Sequence, residues 1–175
     1  MALGAVAPPP SILFLCTGNA ARSVMAGAML ASARPEATVV TAGTHVIDGQ
    51  PMSRRTRQAM ATLGFAADRH RSAQLVPASL GAFDLVVAMA GEHVAYVRRR
   101  HPEVADRCAT LRRLVRDLPG PEGGPLAERV VTLGLAGVEV EGWEDVDDPA
   151  GGDEGTYARC AESLHGLIAG LAPRL

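Results

Sequence analysis

The chain has 175 residues, which fits one ordinary domain able to bury a full core without disulfide staples. Its 47% hydrophobic and 21% charged residues are globular proportions, and a net charge of -2 points to neither nucleic acid nor a membrane surface. All 17 basic residues are arginine, which excludes lysine Schiff-base chemistry and any phosphate loop built on lysine. Residues 1–10 are small and apolar, lack the basic start of a signal peptide and end in Pro8-Pro9-Pro10. They read as a flexible leader before one domain over residues 11–175. Residues 12–15, Ile-Leu-Phe-Leu, are too short an apolar run for a helix and predict a buried strand. A loop of small residues over 16–22 follows. Ser23 then opens and caps an amphipathic helix with Met25, Met29 and Leu30 on one face, ending near Ala33.

The alternation continues. Residues 37–41 predict a second strand, and residues 54–63 a helix after a loop holding Gly43, Gly49 and Pro51. Residues 83–89 predict a third strand, 92–100 a helix, and 108–114 a fourth, less apolar strand. Residues 118–125 form a glycine- and proline-rich loop, 126–135 a helix, 143–152 an acidic turn and 156–171 a closing helix. Strands alternating with helices imply an α/β domain with a parallel sheet covered on both faces. In such sheets a ligand sits at the carboxyl ends of the strands, where Cys16 stands.

Three cysteines, Cys16, Cys108 and Cys160, are too scattered for a disulfide framework, and none forms a Cys-x-x-Cys pair. Free thiols of this kind suit a reducing cytoplasm, and no apolar run approaches the length of a membrane span. The segment Cys16-Thr17-Gly18-Asn19-Ala20-Ala21-Arg22-Ser23 carries the chemistry. Between a strand and a helix start, the N–H groups of such a loop converge on one anion. A thiol with a free pKa of about 8.5 ionises more readily beside cations or a helix N-terminus. Arg22 offers a planar fork for two phosphate oxygens. Gly18 and Asn19 permit the turn, Ala20 and Ala21 leave the cradle open, and Ser23 can direct a hydroxyl at the sulfur. Alone, the reading of Cys16 as an inert strand-end cysteine would be the better one; Gly18, Asn19 and Ser23 at useful positions reverse that.

Cleavage of a phosphate ester needs a proton for the leaving oxygen. The acidic run Glu144-Asp145-Val146-Asp147-Asp148-Pro149 supplies it, with Asp148 favoured because the following proline stiffens it into an extended shape. Asp145, Asp147 and Asp153 are rivals.

The residues 12–19, Arg22-Ser23-x-Met25-Ala26, Thr41-Ala42-Gly43-Thr44, Gly49-x-Pro51, Phe83-Asp84-Leu85-Val86 with Met89, and Val146-x-Asp148-Pro149 together resemble the low-molecular-weight protein tyrosine phosphatases. The resemblance spans nearly the whole chain after Pro10. It implies a single three-layer domain with a four-stranded parallel sheet and helices on both faces. It also implies a two-step, metal-free and cofactor-free reaction through a phosphocysteine at Cys16. Arg22 and the amides of Thr17, Gly18, Asn19, Ala20, Ala21 and Ser23 would hold the phosphoryl oxygens, with Asp148 as general acid. The implied partner is a phosphorylated protein or a small phosphomonoester. Arsenate reduction on the same scaffold, with an external thiol, is the alternative.

The chain departs from the family in places. Ala21 stands where many members carry a second loop cysteine, and Ala150 and Gly151 stand where tyrosine-directed members carry aromatics. With 3% aromatic residues, Trp143 or Tyr157 would have to supply a stacking wall. The five histidines show no ligand spacing and read as ordinary surface or core residues, His45 being the one nearest the expected site. Arg98-Arg99-Arg100 reads as a solvated helix end.

Overall fold

The computed structural model describes residues 8–175. Most of the expected leader, residues 1–7, lies outside the described residues. Four parallel strands form one sheet: β1 (Ser11–Cys16), β2 (Thr38–Gly43), β3 (Leu85–Ala88) and β4 (Cys108–Thr110), in the order β2-β1-β3-β4. The helices are α1 (Arg22–Ala33), α2 (Arg54–Thr62), α3 (Gly91–Arg100), α4 (Leu111–Asp117), α5 (Leu126–Val131) and α6 (Glu154–Leu171), joined in places by short 3-10 turns.

The two-residue period of β1 divides the core. Ile12, Phe14 and Cys16 pack on one face with Met25, Met29, Met60, Leu114, Leu164 and Ile168 of α1, α2, α4 and α6. Leu13 and Leu15 pack on the other with Val94 and Val97 of α3, plus Val86, Ala88 and Val104. These are three layers, so the strands read as near-continuous apolar runs. Gly27 permits the close seat of α1 on β2, since a Cβ there would lie 2.5 Å from Thr41 Cγ2. β1 lies between β2 and β3, so the chain adds β2 on one side of it and β3 on the other, and the loop after β1 opens at that switch point in strand order.

Four expectations are corrected. The fourth strand ends at Thr110, because the Thr110 hydroxyl accepts the Arg113 N–H and caps α4. Leu111 and Leu114 are then buried at helical spacing. The helix expected over 126–135 stops at Val131, and Gly134 takes a left-handed turn at φ 58°. Ser23 is no cap: α1 begins at Arg22 with Ala21 at the N-cap and no side-chain cap bond. Arg98 is not solvated at its tip, since its guanidinium donates to the carbonyls of Leu135 and Val138 at 2.6 and 2.7 Å.

Candidate active site

β1 brings Cys16 to its carboxyl end, 3% exposed, and the chain turns through residues 17–21 into α1. The carbonyls of that turn are held from outside. Cys16 O accepts the Thr44 N–H and Thr17 O the His45 N–H, each at 3.0 Å. Asn19 O meets His70 Nε2 at 2.8 Å, Ala20 O accepts the Thr56 hydroxyl at 3.0 Å, and Ala21 O accepts the Met25 N–H at 2.9 Å. With the carbonyls facing out, the loop amides face in, as in other anion-binding nests. The Asn19 N–H reaches Cys16 Sγ at 3.3 Å. Among the described residues the N–H groups of Thr17, Gly18, Ala20 and Ala21 donate to no protein acceptor. Because α1 lacks a side-chain cap, its first N–H groups are also left to face an anion.

Gly43 makes room for this turn. A Cβ at Gly43 would lie 2.4 Å from Thr17 O and 3.0 Å from Asn19 N. The Ser23 hydroxyl sits 3.0 Å from Cys16 Sγ and accepts from Asn19 Nδ2 at 2.9 Å. Having accepted that bond, it is free to donate to the sulfur.

Arg22, 4% exposed, points across to the acidic segment. Its guanidinium donates to Val146 O at 3.3 Å and to Asp148 Oδ2 at 2.7 Å. The rivals sit elsewhere. Asp145 accepts the Gly91 N–H at 2.7 Å, and Asp153 caps α6 by accepting the Thr156 N–H at 2.8 Å. Asp147 offers its carbonyl to the Cys160 thiol at 3.6 Å.

The aromatic wall expected from Trp143 or Tyr157 is not there. Trp143 lies under the guanidiniums of Arg116 and Arg113, 4.3 and 5.7 Å from their central carbons. Tyr157 is packed into the core. Two histidines read as ordinary reach the loop with their rings, whereas His45, the one singled out, gives it a backbone N–H bond to Thr17 O. His70 holds Asn19 O, and burial depresses its pKa despite that bond. His93 is 1% exposed, with Nε2 3.0 Å from Thr17 Oγ1. Burial first, then the charge of Arg22, pushes its pKa down to about 4 against the pull of Glu92, Asp148 and Asp145. Burial also pushes the Cys160 and Cys108 thiols up, to about 11 and about 12. Spacing between histidines gave no sign of these contacts, because each histidine meets a loop far away in the chain.

An anion cradle at the end of the first strand, holding a thiol and closed by an arginine, defines a cysteine-dependent phosphatase. The sequence matches the low molecular weight phosphotyrosine protein phosphatase family over residues 11–122, and the chain belongs to that family. The protein-arginine-phosphatase of Geobacillus stearothermophilus is 35% identical over 123 residues, 67% of this chain and 82% of that protein. A low molecular weight protein-tyrosine-phosphatase of Streptomyces coelicolor is 29% identical over 170 residues, 91% of this chain and 90% of that one. The solved arginine phosphatase from Geobacillus stearothermophilus superposes with a TM-score of 0.75 at 30% identity, covering 94% of this chain and 91% of that one. A low molecular weight protein tyrosine phosphatase from T. tengcongensis does so with a TM-score of 0.75 at 29% identity, covering 95% and 99%. The protein is a phosphatase of this family, and the arsenate alternative is not favoured. Among the described residues no helix is long and apolar enough to cross a membrane.

Proposed function

We propose that the chain hydrolyses phosphorylated protein side chains in the cytoplasm by two in-line displacements at Cys16. The single observation behind this reading is the loop whose carbonyls are tied outward around the Cys16 sulfur. The Cys16 thiolate attacks phosphorus while the amides of residues 17–23 and the Arg22 fork hold the non-bridging oxygens. The bond to the leaving atom breaks as Asp148 gives that atom its proton. Water then attacks the phosphocysteine and returns a proton to Asp148, releasing inorganic phosphate and the thiolate. The Ser23 hydroxyl donates to the sulfur whenever it is negative. Asp148, 48% exposed, pairs with the Arg22 fork; a phosphoryl dianion takes the fork in its place and frees Asp148 for the leaving group.

For the side chain, phosphoarginine is favoured over phosphotyrosine. Trp143 is taken up by Arg116 and Arg113 and Tyr157 lies in the core, while Glu92, which meets Thr17 Oγ1 at 3.2 Å, and Asp148 border the loop. Relatives with both substrate names are known, so the comparisons support either.

Cys16→Ser is expected to abolish hydrolysis of every substrate. Asp148→Ala is expected to slow a tyrosyl ester by roughly 10²–10⁴-fold and a nitrophenyl ester, whose leaving group needs no proton, far less. Steady-state rates on the two esters check both. Retained activity in the serine variant would remove the nucleophile.

A further inference from the structure

Glu92 and His93 open α3, and neither takes part in the phosphoryl transfer described above. The Glu92 side chain is 69% exposed and that of His93 1%. His93 Nε2 lies 3.0 Å from Thr17 Oγ1 and 3.3 Å from Glu92 Oε1, and Thr17 Oγ1 lies 3.2 Å from that same carboxylate oxygen. The other ring nitrogen, Nδ1, is buried and has no partner among the described residues. Buried orphan N–H groups are rarer than bare acceptors, so the one proton of a neutral imidazole belongs on Nε2. Nε2–H then donates to the Thr17 hydroxyl, and that hydroxyl donates to Glu92. The donors all run one way, from the protein interior to a carboxylate at the rim of the loop, each polarising the next.

Glu92 lies in the first turn of α3, where a carboxylate favours the helix, but that position does not require its contact with Thr17. It caps nothing, since α3 begins without a side-chain cap bond. Asp145 accepts the Gly91 N–H beside Glu92 at 2.7 Å, so two carboxylates stand at the start of α3. Glu92 and Asp145 also line a surface groove of about 540 Å³ that continues past Ala95, Arg98 and Arg99 to Glu139 and Glu141.

We propose that Glu92 is a specificity-determining residue that accepts an N–H from the guanidino group of a phosphoarginine substrate, with Thr17 and His93 as positioning residues that aim it. The assignment rests on the phosphatase reading and deepens its choice of substrate. A guanidino group carries donors and no acceptor beyond its reacting nitrogen, whereas a phenyl ring offers a carboxylate nothing. In the reaction the sulfur–phosphorus bond forms, the phosphorus–nitrogen bond breaks, and the Asp148 proton goes to that nitrogen. Glu92 meanwhile holds a second nitrogen of the same group. A bound aryl substrate would give Glu92 no donor beyond the Thr17 hydroxyl it already accepts, and a site built for donors discriminates against a ligand lacking them.

The test measures kcat and KM on matched phosphoarginine and phosphotyrosine peptides. Glu92→Gln is expected to lower the ratio of the two kcat/KM values, arginine over tyrosine, by about tenfold, the scale of a hydrogen bond to a charged group. His93→Leu is expected to lower that ratio severalfold, and His93→Gln, which can place an amide N–H near the Nε2 position, to restore most of it. Melting temperatures of the variants separate these effects from misfolding. An unchanged ratio in a folded Glu92→Gln protein overturns the inference and leaves the phosphatase reading intact. A wild type that hydrolyses only the tyrosine peptide overturns the substrate assignment and this inference with it, and leaves the phosphatase reading intact. A wild type inert toward both, and no different from its Cys16→Ser variant, overturns both readings.

Discussion

Asn19 is fully buried, and its backbone sits at φ 49°, in the left-handed region that short polar side chains tolerate better than most. Its side chain donates to Ser23 Oγ and Thr41 Oγ1, both at 2.9 Å, and accepts the Ala73 N–H at 2.9 Å. Its own N–H and carbonyl go to Cys16 Sγ and His70. One residue thus ties the loop to β2, to the segment after α2 and to the serine that faces the sulfur. Asn19→Ala removes three bonds and leaves a β-carbon in a left-handed turn, so the expected loss of stability is about 2–4 kcal/mol. The catalytic loss should exceed what the unfolded fraction explains, because the inward amides lose their register. Thermal melts and kcat/KM on one sample check this. Asn19→Asp, which keeps the Ala73 bond, is expected to lose less stability. Ratios that track the folded fraction alone would mean Asn19 is structural only.

At the scale of elements, the acidic segment after 3-10 turn Gly142–Glu144 is placed by its neighbours more than by its own conformation. Glu144 is fully buried and accepts from Thr110 Oγ1 at 2.6 Å, Arg113 Nε at 2.9 Å and the Glu141 N–H at 2.9 Å. Burial alone would raise its pKa, yet the bonds from Arg113, Thr110 and the Glu141 amide hold it below the usual value. Val146 N–H then donates to Met89 O at 2.8 Å, and Arg112 Nε to Asp145 O at 3.0 Å. Asp148 is carried to Arg22 at the end of this series. Glu144→Ala strands the Arg113 charge with weaker partners, Asp117 at 3.4 Å and Glu141 at 3.7 Å, and should cost about 2–4 kcal/mol. It should also mimic a mild Asp148 defect, with a tyrosyl ester slowed more than a nitrophenyl ester. Equal slowing on both esters would argue against a role in placing the acid. Asp148-Pro149 was legible from the sequence because a proline follows an aspartate there. Glu144 was not, because its partners lie on β4 and α4, over thirty positions upstream, and nothing in a single chain announces that Thr110 ends a strand. β1, α1 and the cysteine loop were legible because their patterns are local: an apolar run, a glycine turn and a helical face. Even there the misplaced cap at Ser23 shows the limit. The helix starts one residue earlier, and the serine faces the sulfur instead.

For the molecule as a whole, the histidines behind the loop couple catalytic geometry to acid stability. His93 titrates at about 4 in the folded protein against 6.5 for an ordinary histidine, and burial lowers His70 as well. A histidine depressed on folding binds fewer protons in the native state than in the unfolded one between those two values. Stability therefore rises with pH through that window. The contribution is fully present above about pH 6.5 and is lost as pH falls toward about 4. For His93 the full swing is on the order of 3 kcal/mol, a large part of a typical domain's stability. Protonation would keep the Nε2–H bond to Thr17 but would place a second N–H at buried Nδ1, which has no acceptor among the described residues. Glu92, Asp145 and Asp148 favour the charged ring, while the desolvating core and Arg22 disfavour it and prevail. His93→Gln removes the titration but can keep a donor facing Thr17. Denaturant midpoints of the variant should accordingly fall less steeply than wild type between pH 6.5 and pH 4, the residual slope coming from His70 and the carboxylates. Parallel curves for the two proteins would place the acid-labile element away from the loop.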